Sequence, residues 1–367
     1  MSELRVNSNN EVFVSLVRLG IGAVCDTASA PPKIDWPAIQ VLAKQQGLSA
    51  VVLDGVDVLR KNDSSVDLPD KKLLTQWIGE LLHHESIYML QQKTAAEMAL
   101  LFNSNGIRTY VLKGTIVAEC YPRPKHRLSV DLDCYLLPKE GRFDAWDLGN
   151  NLIKARKYEV NYDFYKNSTF SLPGLTVENH KFFTPFRGNK RLMALERVLQ
   201  SLISADEGED KFEGTWLYRP PVMVSALFLI EHAYSHFLHE GLTWRLVLDW
   251  MMFSKKHKEE IDWQVLNAHI DEFGFRKFYD SFYRLEQYLL GELSMENLEH
   301  RDRLMLEDVW APLDVHETVR GFKGKIALVG NTWRARWKYK YFSEISMPHA
   351  LWIQIKGFMF DKNPKLG

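Results

Sequence analysis

The sequence predicts an α+β fold. A small mixed sheet, about residues 106–187, sits between an N-terminal helical region (1–105) and a C-terminal helical domain (188–300), with a basic, aromatic tail (301–367) packed on the body. Three observations predict it. The first hundred or so residues carry apolar side chains at helical spacing, strand-type alternation replaces that period from Ile107, and the helical period returns from Arg191.

Apolar periodicity marks helices at residues 11–19 and 36–46, separated by a break at Pro31-Pro32. Residues 50–53 (AVVL), followed by Asp54-Gly55, read as a helix end with its turn, a short strand being the alternative. Pro69-Asp70 opens a long helix in which Leu74, Trp77, Ile78, Leu81 and Leu82 share one stripe. It runs to about Asn103, and Asn105-Gly106 ends it. Residues 107–112 (IRTYVL) form a short strand, 115–120 (TIVAEC) one or two helical turns, and Tyr121-Pro122-Arg123-Pro124 a loop.

Residues 129–137 (SVDLDCYLL) alternate. Val130, Leu132, Cys134 and Leu136 face one way, Asp131, Asp133 and Tyr135 the other, and Pro138 closes the strand. Residues 157–171 and 175–183 read as two antiparallel strands joined at Pro173-Gly174. Helices follow at 193–203, 221–238, 243–255, 263–273 and 276–290, and the acidic run 206–213 (DEGEDKFE) is a solvated loop.

At 367 residues, with 46% hydrophobic and 25% charged, the composition is that of a globular protein with room for more than one domain. Lys+Arg 46 balance Asp+Glu 47, which excludes a chain held to polyanions by net charge alone. The longest apolar run, 222–230 (VMVSALFLI), is about half the ~20 residues that a bilayer span needs. No basic start followed by an apolar centre marks a secretory leader, and Cys25, Cys120 and Cys134 form neither a CxxC pair nor a disulfide framework. A cytoplasmic protein without a membrane span is the expectation.

The chemistry centres on Asp131-Leu132-Asp133. Residues two apart on a strand project from the same face, so these carboxylates converge while their apolar partners turn inward. Two carboxylates about 5 Å apart repel by roughly 3 kcal/mol at an effective dielectric of 20. A divalent cation relieves that repulsion, and oxygen ligands suit Mg²⁺. Acid-x-acid pairs recur by chance, and a solvated strand face is the plain alternative, so the pair needs context.

Context lies on both sides. Upstream, Val111-Leu112-Lys113-Gly114-Thr115 is a strand that ends in Gly-Thr at the start of a short helix. Glycine allows close backbone approach, free N–H groups suit a phosphate, Thr115 adds a hydroxyl and Lys113 a point charge. An ordinary strand-to-helix turn with a capping Thr is the other reading of the same residues. Downstream, Thr176, Glu178 and His180 alternate on a second strand, so Glu178 is available as a third acid.

The run Leu112-Lys113-Gly114, Tyr121-Pro122, Arg127, Ser129, Asp131 and Asp133 resembles the uncharacterised nucleotidyltransferases of the polymerase-β-like superfamily. Glu178-Asn179-His180 is similar to that family's acid-x-His segment. His232, His236, Arg245 and Asp249 are similar to its histidine-bearing helix and the Arg and Asp that follow. The resemblance spans roughly residues 70–290, with Gly-Thr where the superfamily commonly has Gly-Gly or Gly-Ser. It implies transfer of a nucleoside monophosphate from an NTP to a hydroxyl of an acceptor, with release of pyrophosphate. Asp131, Asp133 and Glu178 would be the catalytic and metal-holding acids, with Mg²⁺ or Mn²⁺ as cofactor. Lys113, Gly114, Thr115, Arg127, Ser129 and Arg245 would hold the nucleotide and its phosphates.

A non-catalytic nucleotide- or partner-binding protein on the same fold is the competing reading, and the position of Glu178 discriminates between them. Transfer of the γ-phosphoryl is disfavoured by the absence of a kinase catalytic-loop signature. The acceptor is open among small molecule, protein and RNA. His232, His236 and His239 share one helix face; a cleft wall is the main reading and a transition-metal site the other. Arg245 and Asp249, four apart, are expected to pair on their helix. Gly20-Ile21-Gly22 lacks the third glycine of a dinucleotide fingerprint, and no P-loop is present. Residues 333–341 (WRARWKYKY) read as a basic helix packed by its aromatic side, or as a contact for a polyanion or RNA.

Overall fold

A computed structural model of the chain describes residues 8–23, 34–62, 67–163, 165–186, 188–311, 330 and 332–360. Cys25 and the Pro31-Pro32 break lie outside the described residues.

The N-terminal helices are α1 (Ser8–Gly20), α2 (Trp36–Gln45), α3 (Ser49–Asn62) and α4 (Lys71–Ser104). Residues 50–55 correct the expected helix end, because α3 runs straight through Asp54-Gly55. The reason is packing. A Cβ added at Gly55 would stand 2.0 Å from the Leu16 carbonyl oxygen, and one at Gly20 would stand 2.0 Å from that of Val51. These glycines let α1 and α3 lie backbone to backbone; neither makes a turn there. Asp70 caps α4 through its side chain, which accepts from the Leu73 N–H at 2.8 Å. Of the stripe expected on α4, Trp77 is fully buried, whereas Ile78 and Leu82 are exposed.

The six-stranded sheet has the order β3-β4-β5-β2-β1-β6. It is built from β1 (Ile107–Val111), β2 (Asp131–Pro138), β3 (Asn161–Asp163), β4 (Asn167–Leu172), β5 (Leu175–His180) and β6 (Leu217–Tyr218). β2 runs antiparallel to β1 and parallel to β5, and β4–β5 is the hairpin expected at Pro173-Gly174. The single strand expected over 157–171 is two short strands, β3 and β4, with a turn at Tyr165-Lys166. β6 pairs parallel with β1 just past the acidic loop; two residues are too few to show a period. Helix α5 (Thr115–Ala118) lies between β1 and β2, and α6 (Ala145–Ala155) between β2 and the edge strand β3.

On the C-terminal side stand α7 (Lys190–Ser204), α8 (Val222–His239), α9 (Trp244–Lys256), α10 (Trp263–Glu272) and α11 (Arg276–Leu290), where the sequence places them. Beyond them lie α12 (His300–Trp310), α13 (Arg336–Phe342) and α14 (Met347–Phe360). The basic run is packed by its aromatic side. Trp337 meets Phe237 edge-on, Tyr339 and Phe342 are buried, and the Lys338 ammonium pairs with Asp308 at 2.6 Å and donates to the Phe237 carbonyl at 2.6 Å. No helix among the described residues is long and apolar enough to cross a membrane.

Candidate active site

Strand register brings the acids together. β2 and β5 are parallel neighbours in which Asp131 pairs with Thr176 and Asp133 with Glu178. The alternation of β2 turns Leu132, Cys134 and Leu136 into the core, as read from the sequence, whereas Val130, expected on the same face, lies ahead of the strand and is exposed. Asp133, however, is itself only 3% exposed, whereas Asp131 at the strand's mouth is half-buried.

Asp133, Glu178 and His180 each offer one ligand atom within 4.8 Å of the others, the one such grouping of three found among the described residues. His180 Nε2 lies 2.9 Å from Asp133 Oδ1 and 3.7 Å from Glu178 Oε2. Its Nδ1 faces the Phe182 carbonyl at 3.3 Å, a contact that leaves Nε2 to turn toward the carboxylates. The other oxygen of Asp133, Oδ2, is buried without a hydrogen-bond partner. A buried carboxylate oxygen without a hydrogen bond is costly, the Lys113 ammonium 3.8 Å away meets it only by charge, and a bound cation would complete it. Asp131 stands outside the three-residue group, two positions back along the same face.

The charges are set by this enclosure. Burial raises the Asp133 carboxyl, but the Lys113 ammonium and the His180 imidazole overcome it and hold Asp133 well below the usual carboxylate range. Burial and the neighbouring Asp133 push Glu178 the other way, upward. Lys113 Nζ stands 3.8 Å from Asp133 Oδ2 and donates to His232 Nε2 at 2.8 Å. Burial and that ammonium hold the His232 imidazole far below its usual range, so its ring keeps a lone pair for the lysine. His236 bonds Glu240 at 2.8 Å and His239 bonds the Ser235 carbonyl at 2.8 Å. The three histidines thus serve three separate contacts, and one of them anchors the site lysine.

The glycine turn stands opposite. Gly114 has φ +76°, and a Cβ there would come within 3.2 Å of Ser129 Oγ and 3.5 Å of the Asp131 carbonyl oxygen. Ser129 Oγ donates to that same carbonyl at 3.1 Å, so Ser129 fixes the approach of β2 to the turn. Thr115 Oγ1 accepts from Gln92 Nε2 of α4 at 3.0 Å.

Two of the expected phosphate ligands already have partners within the protein. Arg127, 2% exposed, lays its guanidinium on Asp249, with Nε–Oδ1 2.9 Å and Nη2–Oδ2 2.8 Å, and Tyr121 donates to the same carboxylate at 2.7 Å. This corrects the expected helix pair, because Asp249 turns to the loop between α5 and β2, while Arg245 donates to the Leu128 carbonyl at 3.2 Å. Arg127, Tyr121, Arg245 and Asp249 thereby lock that loop onto α9.

Residues 32–291 match the profile of a protein family described as uncharacterised nucleotidyltransferases. The chain belongs to this family. The match runs from before α2 to the end of α11, so the family's extent takes in the whole sheet, the acid cluster and the Arg127–Asp249 lock, and stops short of α12–α14. No curated protein and no solved structure matches the chain.

Within the family's extent, three positions were not singled out as site residues by sequence reasoning. His180 was visible as the third member of the alternation Thr176, Glu178, His180, and only the strand pairing shows it against Asp133. Asn167 Nδ2 donates to Glu178 Oε2 at 3.1 Å from the adjacent strand β4, a contact no local pattern announces. Lys166, in the turn before β4, exerts its charge on Glu178 and His232 while its ammonium has no hydrogen bond or ion pair among the described residues.

Proposed function

We propose that this protein transfers a nucleoside monophosphate from an NTP to a hydroxyl of an acceptor, releasing pyrophosphate, and that it needs Mg²⁺ or Mn²⁺ to do so. The observation that carries the reading is the Oδ2 of Asp133, buried without a hydrogen bond inside a carboxylate–carboxylate–imidazole cluster, with the Lys113 ammonium 3.8 Å away and a glycine turn opposite.

The residues fit a divalent cation. Asp133 and Glu178, with Asp131 at the rim, supply hard oxygen donors for Mg²⁺, and the imidazole of His180 widens the set toward Mn²⁺. Bound there, the cation would neutralise charge on the transferring phosphoryl group and acidify the acceptor hydroxyl. The chain's own groups do the rest. The Gly114 backbone and Thr115 admit the phosphates close to β2, and Lys113, held in place by His232, presents a fixed positive charge to them. Glu178, on the side away from the glycine turn, faces the acceptor, where its carboxylate can receive the proton of the hydroxyl. Ser129 shapes the turn, and Arg127 and Arg245 brace the loop that leads into β2. The placement of Glu178 beside Asp133 favours catalysis over nucleotide binding alone.

The test is incubation of the protein with α- or γ-labelled NTPs, Mg²⁺ and cell extract. The α-label is expected to move to an acceptor and the γ-label to leave in pyrophosphate. Asp131→Asn plus Asp133→Asn is expected to abolish both while the circular dichroism spectrum stays native. Transfer of the γ-label to an acceptor, or full turnover by the double variant, overturns the proposal.

A further inference from the structure

Resting on the transfer reading above, we infer that the cavity beyond β4 is the acceptor site, and that it takes a small molecule with an aromatic or apolar body whose protonated amine seats on Glu231.

Strand order gives the direction. Across the sheet the site reads from the Gly114 turn after β1, to Asp131 and Asp133 on β2, to Glu178 on β5, to Asn167 on β4. Phosphates belong at the glycine end, so the acceptor belongs at the Asn167 end. A cavity of about 330 Å³ opens there, of a size suited to a small molecule. Its wall includes Asn167, whose amide is hydrogen-bonded to Glu178, so the cavity begins one side chain away from the acid cluster.

The lining defines the ligand. Tyr165, Tyr234 and Tyr339 present aromatic surface, and Leu238 and Ile353 add aliphatic surface. Within this apolar lining stands Glu231, 2% exposed, with no hydrogen bond or ion pair among the described residues. A buried carboxyl without a partner is an unfavourable arrangement that a ligand's cation relieves, and tyrosine faces add to the attraction for an ammonium. Burial pushes Glu231 up to about 7, in keeping with a group whose partner arrives from outside. Lys166 also lines the cavity and acts on both Glu178 and Glu231, so it stands between the acid cluster and the cavity floor. An acceptor with its amine on Glu231 therefore points its other end past Lys166 toward the phosphates.

Titration calorimetry without NTP, using the full chain, tests this with three probes of one shape: tyramine, tyrosol and 4-hydroxyphenylacetate. Tyramine is expected to bind, tyrosol at least tenfold more weakly, and the carboxylate not at all. Glu231→Gln is expected to weaken tyramine tenfold or more and leave tyrosol unchanged. Ser235→Phe, which fills the cavity and keeps the acid, is expected to exclude all three, whereas Asp133→Asn leaves tyramine binding intact. Failure of tyramine to bind, equal binding of the three probes, or undiminished tyramine binding by either Glu231→Gln or Ser235→Phe overturns the assignment. Amine-selective binding without label transfer would sink the transferase reading alone, and label transfer without amine selectivity would sink this one alone.

Discussion

Arg127 and Asp249, 122 residues apart, form a two-pronged ion pair in which both residues are 2% exposed. Burying two charges is expensive, and removing one partner strands the other. Asp249→Ala is therefore expected to destabilise the protein by about 3–5 kcal/mol in urea unfolding. Arg127→Lys should also destabilise the protein although it keeps the charge, because an ammonium cannot meet both carboxylate oxygens in the fork geometry. A loss of nucleotide affinity with no loss of stability would show that Arg127 serves the phosphates rather than the lock.

Asp133 and His180 supply the next expectation. Mn²⁺ binding, followed by electron paramagnetic resonance, should disappear in Asp133→Asn, because the orphaned Oδ2 is replaced by a donor or a neutral oxygen. His180→Ala, which removes one member of the donor set, should weaken Mn²⁺ by more than the roughly 10- to 100-fold that loss of an outer supporting group costs. Undiminished Mn²⁺ binding by Asp133→Asn would place the cation elsewhere.

The candidate site was legible wherever its signal is local. The alternation of β2 gives Asp131 and Asp133, that of β5 gives Glu178, and the glycine turn follows from Lys113-Gly114-Thr115. What the sequence hides is pairing across distance. Asp133 and His180 are 47 residues apart, and only the parallel register of β2 on β5 makes them neighbours. Arg127 illustrates the same limit, since its nearest-looking uses were phosphate contacts, and its actual partner comes from α9. The fold follows a similar division. Helices with a clear apolar stripe fall where expected, while β6 is too short to carry a period and Asp54-Gly55 is a turn dipeptide overruled by helix packing.

Glu231 predicts a pH dependence. Its folded value of about 7 lies above the ordinary Glu value of 4.5, because burial outweighs the attraction of Lys166 and Glu196 adds to the rise. The unfolded chain thus releases this proton first as pH increases, so the group's contribution is complete below the unfolded value and falls away between about 4.5 and 7. Glu231→Gln, which cannot ionise, should match the wild type near pH 4.5 and exceed it at pH 8, by roughly 3 kcal/mol. Chemical denaturation at the two pH values checks it, and equal midpoints at pH 8 would contradict it.

Gly55 tests the account of α1 and α3. Its hydrogen faces the Leu16 carbonyl, and the contact involves backbone on both sides, so no flexible side chain can move aside. Alanine would improve the intrinsic helix propensity of α3 by about 1 kcal/mol if only the helix mattered. The collision at 2.0 Å must instead push the two helices apart and open the core around Leu16 and Val52. Gly55→Ala is expected to lose about 3 kcal/mol of stability, at the upper end of ordinary overpacking. Gly79→Ala, on α4 where nothing lies within 4 Å, is the control and should be neutral or slightly stabilising. If both variants gained stability, α1 and α3 would have to sit farther apart than backbone contact requires.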